Sequence, residues 1–163
     1  MGHRCSLVAF SAIALSFALA TPALADVTVF VGANTTPSSR LAKGAALGLS
    51  FVIFGLEFEY SATNDDPATR SPTLKSGMVN GFVQTPAPIF GLQPYFTIGG
   101  GVYRETLETV HEETGFGTNI GGGVKVPVAG PLQLRGDYRV FKLGSGALYS
   151  PAHRLYVGLN LKF

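Results

Sequence analysis

From residue 26 onward, apolar residues alternate with polar or small residues at a period of two positions. The clearest segment is 132–142, where Leu132, Leu134, Tyr138 and Val140 alternate with Gln133, Arg135, Asp137 and Arg139. Alternation of this kind is typical of a β-strand with one apolar and one polar face. A membrane-spanning helix is excluded after residue 26, because the longest apolar stretch, 45–56, contains glycines and a serine and is closed by Glu57.

Eight such segments predict an all-β fold with eight strands. They cover residues 27–33, 43–53, 55–62, 74–85, 93–104, 116–127, 132–143 and 153–163. Their spacing leaves room for the roughly 10 residues that a tilted membrane-spanning strand requires. Because the number of strands is even, the first strand begins and the last strand ends on the same side of the membrane.

The connections between these segments fall into two alternating groups. The first, third, fifth and seventh connections, residues 34–42, 63–73, 105–115 and 144–152, are polar or charged. The three between them, residues 54–55, 86–92 and 128–131, carry no charge. Long loops at one rim and tight turns at the other are typical of outer-membrane barrels. The sequence therefore predicts an eight-stranded, antiparallel, up-and-down transmembrane β-barrel.

A competing interpretation concerns the fourth segment. Asn80-Gly81 lies between apolar residues, and this dipeptide is a strong signal for a β-hairpin turn. A turn at this point would split the segment into halves too short to cross a bilayer. We therefore expect a continuous strand and keep the turn as the alternative.

The first 25 residues resemble a secretory signal peptide. Arg4 precedes an apolar stretch at 7–19, and Pro22 is followed by the small-residue site Ala23-Leu24-Ala25. We expect cleavage before Asp26, with a retained N-terminal anchor as the alternative, so that residues 26–163 form the barrel domain. The single cysteine, Cys5, lies within the signal, and the mature chain therefore has no disulfide.

The composition agrees with a membrane barrel and excludes other classes. Of the 163 residues, 13% are charged and 21 are glycine, whereas soluble domains have about 25% charged residues and about 7% glycine. The net charge is only +2, and the basic residues are scattered along the chain. Because no basic block is present to contact phosphates, nucleic acid is not expected as a partner.

If the apolar faces meet lipid, the polar faces converge in the barrel lumen. The residues expected there are Glu57, Glu59, Asn80, Gln84, Tyr95, Asn119, Lys125, Arg135, Asp137, Arg139, Arg154, Tyr156 and Asn160. Their three acids and four bases, which we name the lumen charge network, are Glu57, Glu59, Lys125, Arg135, Asp137, Arg139 and Arg154. An eight-stranded barrel is just wide enough to be filled by side chains, so we expect ion pairs that plug the lumen. A proton or ion path and a catalytic role are the alternatives.

Two glycine triplets lie one hairpin apart, at 99–101 and 121–123. Neither lies in the strand, loop and helix context that nucleotide-binding loops need. Glycine inside a strand instead marks a bend or close packing against a large neighbour. The triplets therefore predict curvature and room in the lumen, and no cofactor is expected.

The signal peptide, the eight alternating segments, and segments 94–103, 130–141 and 156–163 resemble the small outer-membrane β-barrel family of OmpA and OmpX type. The most specific part is the C-terminal strand, which resembles the assembly signal of the family. Its residues are Leu155, Val157, Leu159, Leu161 and Phe163. The resemblance implies a monomer in the outer membrane of a Gram-negative bacterium, in contact with lipids and lipopolysaccharide and inserted by the outer-membrane assembly machinery.

Some barrels of this family modify lipid A, which makes a lipid-modifying enzyme the natural catalytic alternative. The deacylase resemblance needs a serine two residues after its strand histidine, but Leu155 follows His153 at that distance. Ser150 precedes His153 by three residues, without an evident acid to hold the base.

The histidine and glutamates at 111–113 fit a solvated loop better than a metal site, and we expect no bound metal. We therefore expect no catalytic residues and no enzymatic activity. The sequence favours a non-enzymatic envelope or surface-interaction protein that acts through its loops, with a small transport pore as the main alternative.

Overall fold

The alternating segments form one closed sheet. A computed structural model describes residues 24–107 and 111–163 of the protein. The strands are β1 (Leu24–Asn34), β2 (Arg40–Phe51), β3 (Phe54–Thr63), β4 (Thr73–Gln84), β5 (Gln93–Leu107), β6 (His111–Ala129), β7 (Leu132–Lys142) and β8 (Ala152–Lys162). Each strand pairs antiparallel with its neighbours in the chain, and β1 pairs with β8 to close the barrel. Closure satisfies the backbone hydrogen bonds of every strand, as the hydrocarbon region requires. The up-and-down barrel predicted from the sequence is confirmed.

The connections sort onto two rims, as their composition predicts. The turn rim carries residues 52–53, 85–92 and 130–131, and the loop rim carries residues 35–39, 64–72 and 143–151 together with the end of β5 and the start of β6. A 3-10 turn, Pro67–Thr69, lies in the second loop. No helix in the described part of the chain is long and apolar enough to cross a membrane.

The alternative turn at Asn80-Gly81 is wrong, because β4 runs through it without a break. Asn80 pairs in register with Glu57 on β3 and with Gly99 on β5. Its side chain is fully buried in the lumen, where it accepts a 2.8 Å hydrogen bond from the Asn119 amide. The alternation of the whole segment, supported by pairing on both sides, outweighs the local preference of the dipeptide.

Two tight turns differ from their predicted positions. The first is formed by residues 52–53 instead of 54–55, and Val52 adopts a left-handed conformation with φ of 50°. Gly55 lies within β3, where a Cβ would come within 2.1 Å of the Phe82 ring, so this glycine is needed for packing. The third turn is Gly130-Pro131, because β6 continues through a bulge between Pro127 and Ala129.

The predicted loop 105–115 is wrong over most of its length. Strand β5 extends into it as far as Leu107 and β6 begins at His111, with Glu105 opposite Glu113 and Leu107 opposite His111. A strand can continue beyond the bilayer, where polar residues are tolerated on both of its faces. Charged residues at this rim therefore did not mark the end of the strand.

The predicted signal peptide lies largely outside the described residues. Residues 1–23 are not described, and cleavage before Asp26 stays a prediction. Strand β1 begins at Leu24, two residues before that site. Ala25 and Phe163 exchange two backbone hydrogen bonds, of 3.0 and 2.9 Å.

The outside of the barrel is covered by apolar side chains. Leu47, Leu56 and Val102 each remain about 60% exposed, and their neighbours on the same face are similar. A soluble protein does not expose a continuous apolar surface of this kind, whereas a membrane barrel turns such a band toward lipid.

Candidate functional site

The inward faces of the strands bring the predicted lumen charge network together. All seven side chains are buried, with none more than 4% exposed. Glu57 and Glu59 come from β3, Lys125 from β6 and Arg154 from β8. The other three members come from β7, where Arg135, Asp137 and Arg139 occupy alternate positions and therefore share one face.

Arg139 is the centre of the network. Its Nη2 lies 2.8 Å from Glu57 Oε1, its Nε lies 3.0 Å from Asp137 Oδ1, and its Nη1 lies 3.0 Å from Glu59 Oε2. One guanidinium thus contacts three carboxylates, two of them across the lumen. The planar fork of arginine donors suits such multiple pairing better than a lysine would.

Arg135 lies two inward positions closer to the turn rim than Arg139. It pairs with Glu57 and, at 3.2 Å, with Asp137 Oδ2. Its Nε donates a 2.7 Å hydrogen bond to the Tyr95 hydroxyl, which in turn donates to Asp137. The guanidinium carbon also lies 4.7 Å from the centre of the Tyr95 ring, a cation–π contact.

Arg154 joins the network from the side of the loop rim. It forms a 2.5 Å ion pair with Glu59 Oε1 and donates a 2.7 Å hydrogen bond to Ser61. Its guanidinium carbon lies 4.6 Å from the centre of the Phe141 ring. Glu59 is therefore shared between Arg139 and Arg154.

Lys125 pairs with a residue that sequence reasoning missed. Its Nζ lies 3.2 Å from Oδ2 of Asp26, which is 4% exposed. Asp26 directly follows the predicted cleavage site and precedes the first predicted strand segment, so the sequence did not indicate that it lies on a strand. The signal that could have found it is the inward alternation of Asp26 with Thr28 and Phe30. With Asp26 added to the lumen charge network, its four bases are matched by four acids.

Neutral side chains complete the polar part of the lumen. Asn160 donates a 2.8 Å hydrogen bond to Thr28, and Asn80 donates a 3.5 Å hydrogen bond to Glu57. Gln84 accepts at 3.5 Å from Lys125, and Tyr156 stacks on the Phe30 ring with 4.1 Å between centroids. The predicted lumen residues are thus buried together, apart from Gln84, which is only partly buried.

The glycine triplets make room for this network. A Cβ at Gly121 would lie 2.8 Å from Arg139 Cγ, and one at Gly123 would lie 2.7 Å from the Tyr95 hydroxyl. A Cβ at Gly99 would meet Asn80 Oδ1 at 2.1 Å. The inward-facing glycines of β5 and β6 therefore provide the space that the large polar side chains fill.

Toward the loop rim, the lumen becomes apolar. A cluster of buried side chains lies there, formed by Leu74, Met78, Tyr103, Phe141, Leu143 and Ala152. The cavity between this cluster and Arg154 measures about 10 Å³, room for at most about one water molecule. Side chains thus fill this level of the barrel.

Two buried charges connect the loops to the barrel, and both were assigned to loops by their charge. Arg40 donates to the carbonyl of Thr36 at 2.7 Å and to the carbonyl of Pro72, which connects the first and second loops. Glu105 accepts a 2.9 Å hydrogen bond from the Leu148 amide of the fourth loop. Continued alternation beyond the predicted strand ends is the signal that could have identified them.

Three of the candidate catalytic and metal-binding side chains, His153, Ser150 and Glu112, have other partners. His153 Nδ1 lies 2.7 Å from the Tyr138 hydroxyl, whereas the Ser150 hydroxyl oxygen accepts a 3.1 Å hydrogen bond from the backbone N–H of Leu143. Glu112 forms an ion pair with Arg104. No group of three or more metal-ligating side chains is found in residues 24–107 and 111–163.

The predicted assembly signal lies on the outside of β8. Its apolar side chains are between 45% and 65% exposed, and they are Leu155, Val157, Leu159, Leu161 and Phe163. This strand carries the seam of the barrel, because it pairs with β1.

A closed eight-stranded barrel with an apolar exterior, a polar lumen and loops sorted by rim defines the class of small transmembrane β-barrels. Among solved structures, Neisserial surface protein A is similar, with a TM-score of 0.66 at 15% identity over 86% of this chain and 96% of that one. The N-terminal β-barrel domain of Pseudomonas aeruginosa OprF has a TM-score of 0.65 at 15% identity, over 86% and 97%. The outer membrane enzyme PagL has a TM-score of 0.51 at 14% identity, over 83% and 98%.

No protein-family model and no curated protein matches the chain. At the identities of the solved structures, the likeness shows the fold. The resemblance predicted from the sequence is confirmed at that level: the chain has the fold of the small outer-membrane β-barrels. Together with its apolar belt, this fold is that of an integral protein of the bacterial outer membrane.

Proposed function

We propose that the protein is a non-enzymatic outer-membrane barrel that supports the envelope or binds surface partners through its loops. The observation that carries this proposal is the filled lumen. Arg139 and Arg154 connect β7 and β8 to β3 across its middle, and the apolar cluster lies between this level and the loop rim. A lumen closed in this way favours a structural role over transport.

The loop rim is the surface left for interaction. Arg40 joins the first and second loops, and Glu105 joins the fourth loop to β5. Ser38 of the first loop lies 3.0 Å from both Thr69 and Ser71 of the second. Loops held in one arrangement lose less conformational entropy when they bind a partner.

An enzymatic role receives no support from the rim. Ser150 and His153 each bond a different group, although a serine nucleophile needs a base within hydrogen-bond reach. The fold itself does not decide the question, because similar barrels carry different functions and one similar structure is the outer membrane enzyme PagL. Mass spectrometry of lipid A, from cells with and without the protein, is expected to give identical spectra. A loss or gain of acyl chains that depends on the protein would contradict the proposal.

Two further measurements test the structural role of the barrel and the role of its loops. The purified chain in planar bilayers is expected to give no steady conductance, and reproducible unitary currents would favour the pore alternative. A variant in which a short Gly-Ser turn replaces residues 65–70 keeps Pro72, an acceptor of Arg40, and is expected to insert normally. In cells that lack the protein, this variant is expected to restore resistance of the envelope to detergent less well than the full chain does. If this variant protects the envelope as well as the full chain does, the second loop has no part in the function.

A further inference from the structure

The charges on the outside of the barrel are confined to one end. In the described residues, the outward-facing charged side chains of the strands are Lys43, Lys75, Arg104, Glu112 and Lys142. All five lie toward the loop rim, and four of them are cations. The apolar belt therefore ends, on this side, at a zone of positive charge.

Three of these cations lie in one row across neighbouring strands. Lys43 on β2 pairs in register with Ala62 on β3, which pairs with Lys75 on β4, which pairs with Arg104 on β5. We name Lys43, Lys75 and Arg104 the basic row. Strands are about 4.8 Å apart, so the two lysines are separated by about 10 Å, with only the small Ala62 between them.

The row is unfavourable for the isolated protein. Like charges directly opposite each other on neighbouring strands are destabilising, and Lys75 and Arg104 stand in this relation. Glu112 pairs with Arg104 only, and Lys43 and Lys75 have no ion-pair partner among the described residues. An anion from outside the protein would remove this repulsion.

The depth of the row indicates where that anion comes from. Tyr60 lies two residues from Ala62 toward the middle of the membrane on β3 and is 50% exposed. Tyrosines on the outside of a barrel mark the boundary between hydrocarbon and headgroups. The basic row lies just beyond this boundary, at the level of the headgroups of the loop-side leaflet.

We propose that the basic row binds the phosphate groups of a lipid headgroup in that leaflet. One phosphate fits the notch over Ala62 between Lys43 and Lys75, and Arg104 retains donors that Glu112 does not occupy. This site uses the exterior of the barrel, so it does not depend on the function proposed for the loops.

The test uses the full chain in phosphatidylcholine nanodiscs that contain a small fraction of diphosphorylated lipid A, with bound lipid counted by native mass spectrometry. Each basic residue close to an anionic lipid headgroup strengthens lipid binding, and removing one lysine is expected to weaken it about fivefold. The double variant K43Q/K75Q is therefore expected to bind lipid A about 25-fold more weakly than the wild type does. The matched control is Lys142→Gln, at the same rim but outside the row, with less than a twofold change expected. Removing the phosphates from the lipid is expected to abolish the difference between the wild type and K43Q/K75Q.

Three results would overturn the proposal: equal binding by K43Q/K75Q, an equal loss in Lys142→Gln, or undiminished binding of dephosphorylated lipid. Inorganic phosphate at millimolar concentration is expected not to displace the lipid. Full displacement would assign the row to a free anion instead. The variant K43R/K75R keeps both charges and is expected to bind normally, which separates loss of charge from misfolding.

Discussion

Lys125 on β6 and Asp26 on β1 form an ion pair of 3.2 Å in the part of the lumen nearest the turn rim. The residues are 99 positions apart in the chain, and both are nearly inaccessible to solvent. The ammonium group also lies 5.1 Å from the centre of the Phe82 ring. The pair therefore connects the first strand to β6 across the barrel.

Replacing Asp26 by Asn is expected to destabilise the barrel, because Lys125 would be left as a buried charge without its partner. The expected cost is about 3–5 kcal/mol in the free energy of unfolding. Denaturant unfolding of the full chain in detergent measures it. The double variant D26N/K125M removes both charges and is expected to recover much of the loss, and a double variant as unstable as the single one would show that the pair is not the cause.

A larger effect is expected at Glu59, which two arginines share. Glu59→Ala leaves both Arg139 and Arg154 short of a carboxylate at the centre of the lumen, and the loss is expected to reach at least about 3–5 kcal/mol. Arg135→Ala is expected to act in the same direction, because it leaves Glu57 without one of its partners.

The temperature at which the folded form disappears in heat-modifiability gels reports the change. Asp65→Ala, a charge removal in the exposed second loop, is the control and is expected to leave this temperature unchanged. Wild-type resistance to heating in Glu59→Ala would contradict a stabilising role for the lumen charge network.

The extent to which the sequence predicts this site follows from the position of each residue in its strand. Glu59 and Arg139 lie in the middle of alternating segments, where one face meets lipid, so the period of two assigns them to the lumen. Asp26 and Glu105 lie near strand ends, each one residue outside the predicted bounds of its segment, so the alternation has to be extended past those bounds to assign them to the lumen.

The partners themselves could not be predicted. The contact between Arg139 and Glu57 spans 82 positions, and it depends on the tilt and stagger of the closed barrel, which no local pattern encodes.

The space left by glycine is expected to be as important as the charges. Gly121→Ala places a Cβ 2.2 Å from the Tyr138 carbonyl oxygen and 2.8 Å from Arg139 Cγ. Overpacking of this kind costs about 1–3 kcal/mol. Gly136→Ala is the matched control, because its nearest neighbour, Val124 Cγ2, lies at 4.0 Å. Equal stability of the two variants in denaturant unfolding would show that the glycine does not provide room for the network.

The second loop is expected to respond to pH through Asp66. The Thr69 hydroxyl donates a 2.8 Å hydrogen bond that lowers the pKa of this carboxyl below its ordinary value. Because the pKa is lower in the folded loop, the stabilisation is complete above the ordinary pKa and is lost as the pH falls through the lowered one. In Thr69→Val, an NMR titration of the Asp66 carboxyl carbon is expected to show a higher pKa for Asp66 than in the wild type. Ser38→Ala, which removes a longer contact of 3.4 Å, is expected to raise it less.

The C-terminal strand is expected to govern insertion. Phe163 is 65% exposed on the outside and directly follows β8, the strand that pairs with β1 to close the barrel. If the outer-membrane assembly machinery recognises the alternating apolar face of β8, deletion of Phe163 is expected to reduce the amount of folded protein in outer-membrane fractions.

The control for that deletion is Phe90→Ala, which removes a fully exposed aromatic ring from a turn instead of from β8. Both variants are also refolded in detergent without the machinery. There the truncated chain is expected to fold, so a defect confined to cells indicates lost recognition, whereas an equal defect in detergent indicates lost stability at the seam. Normal insertion of the truncated chain in cells would refute the assignment of an assembly signal ending at Phe163.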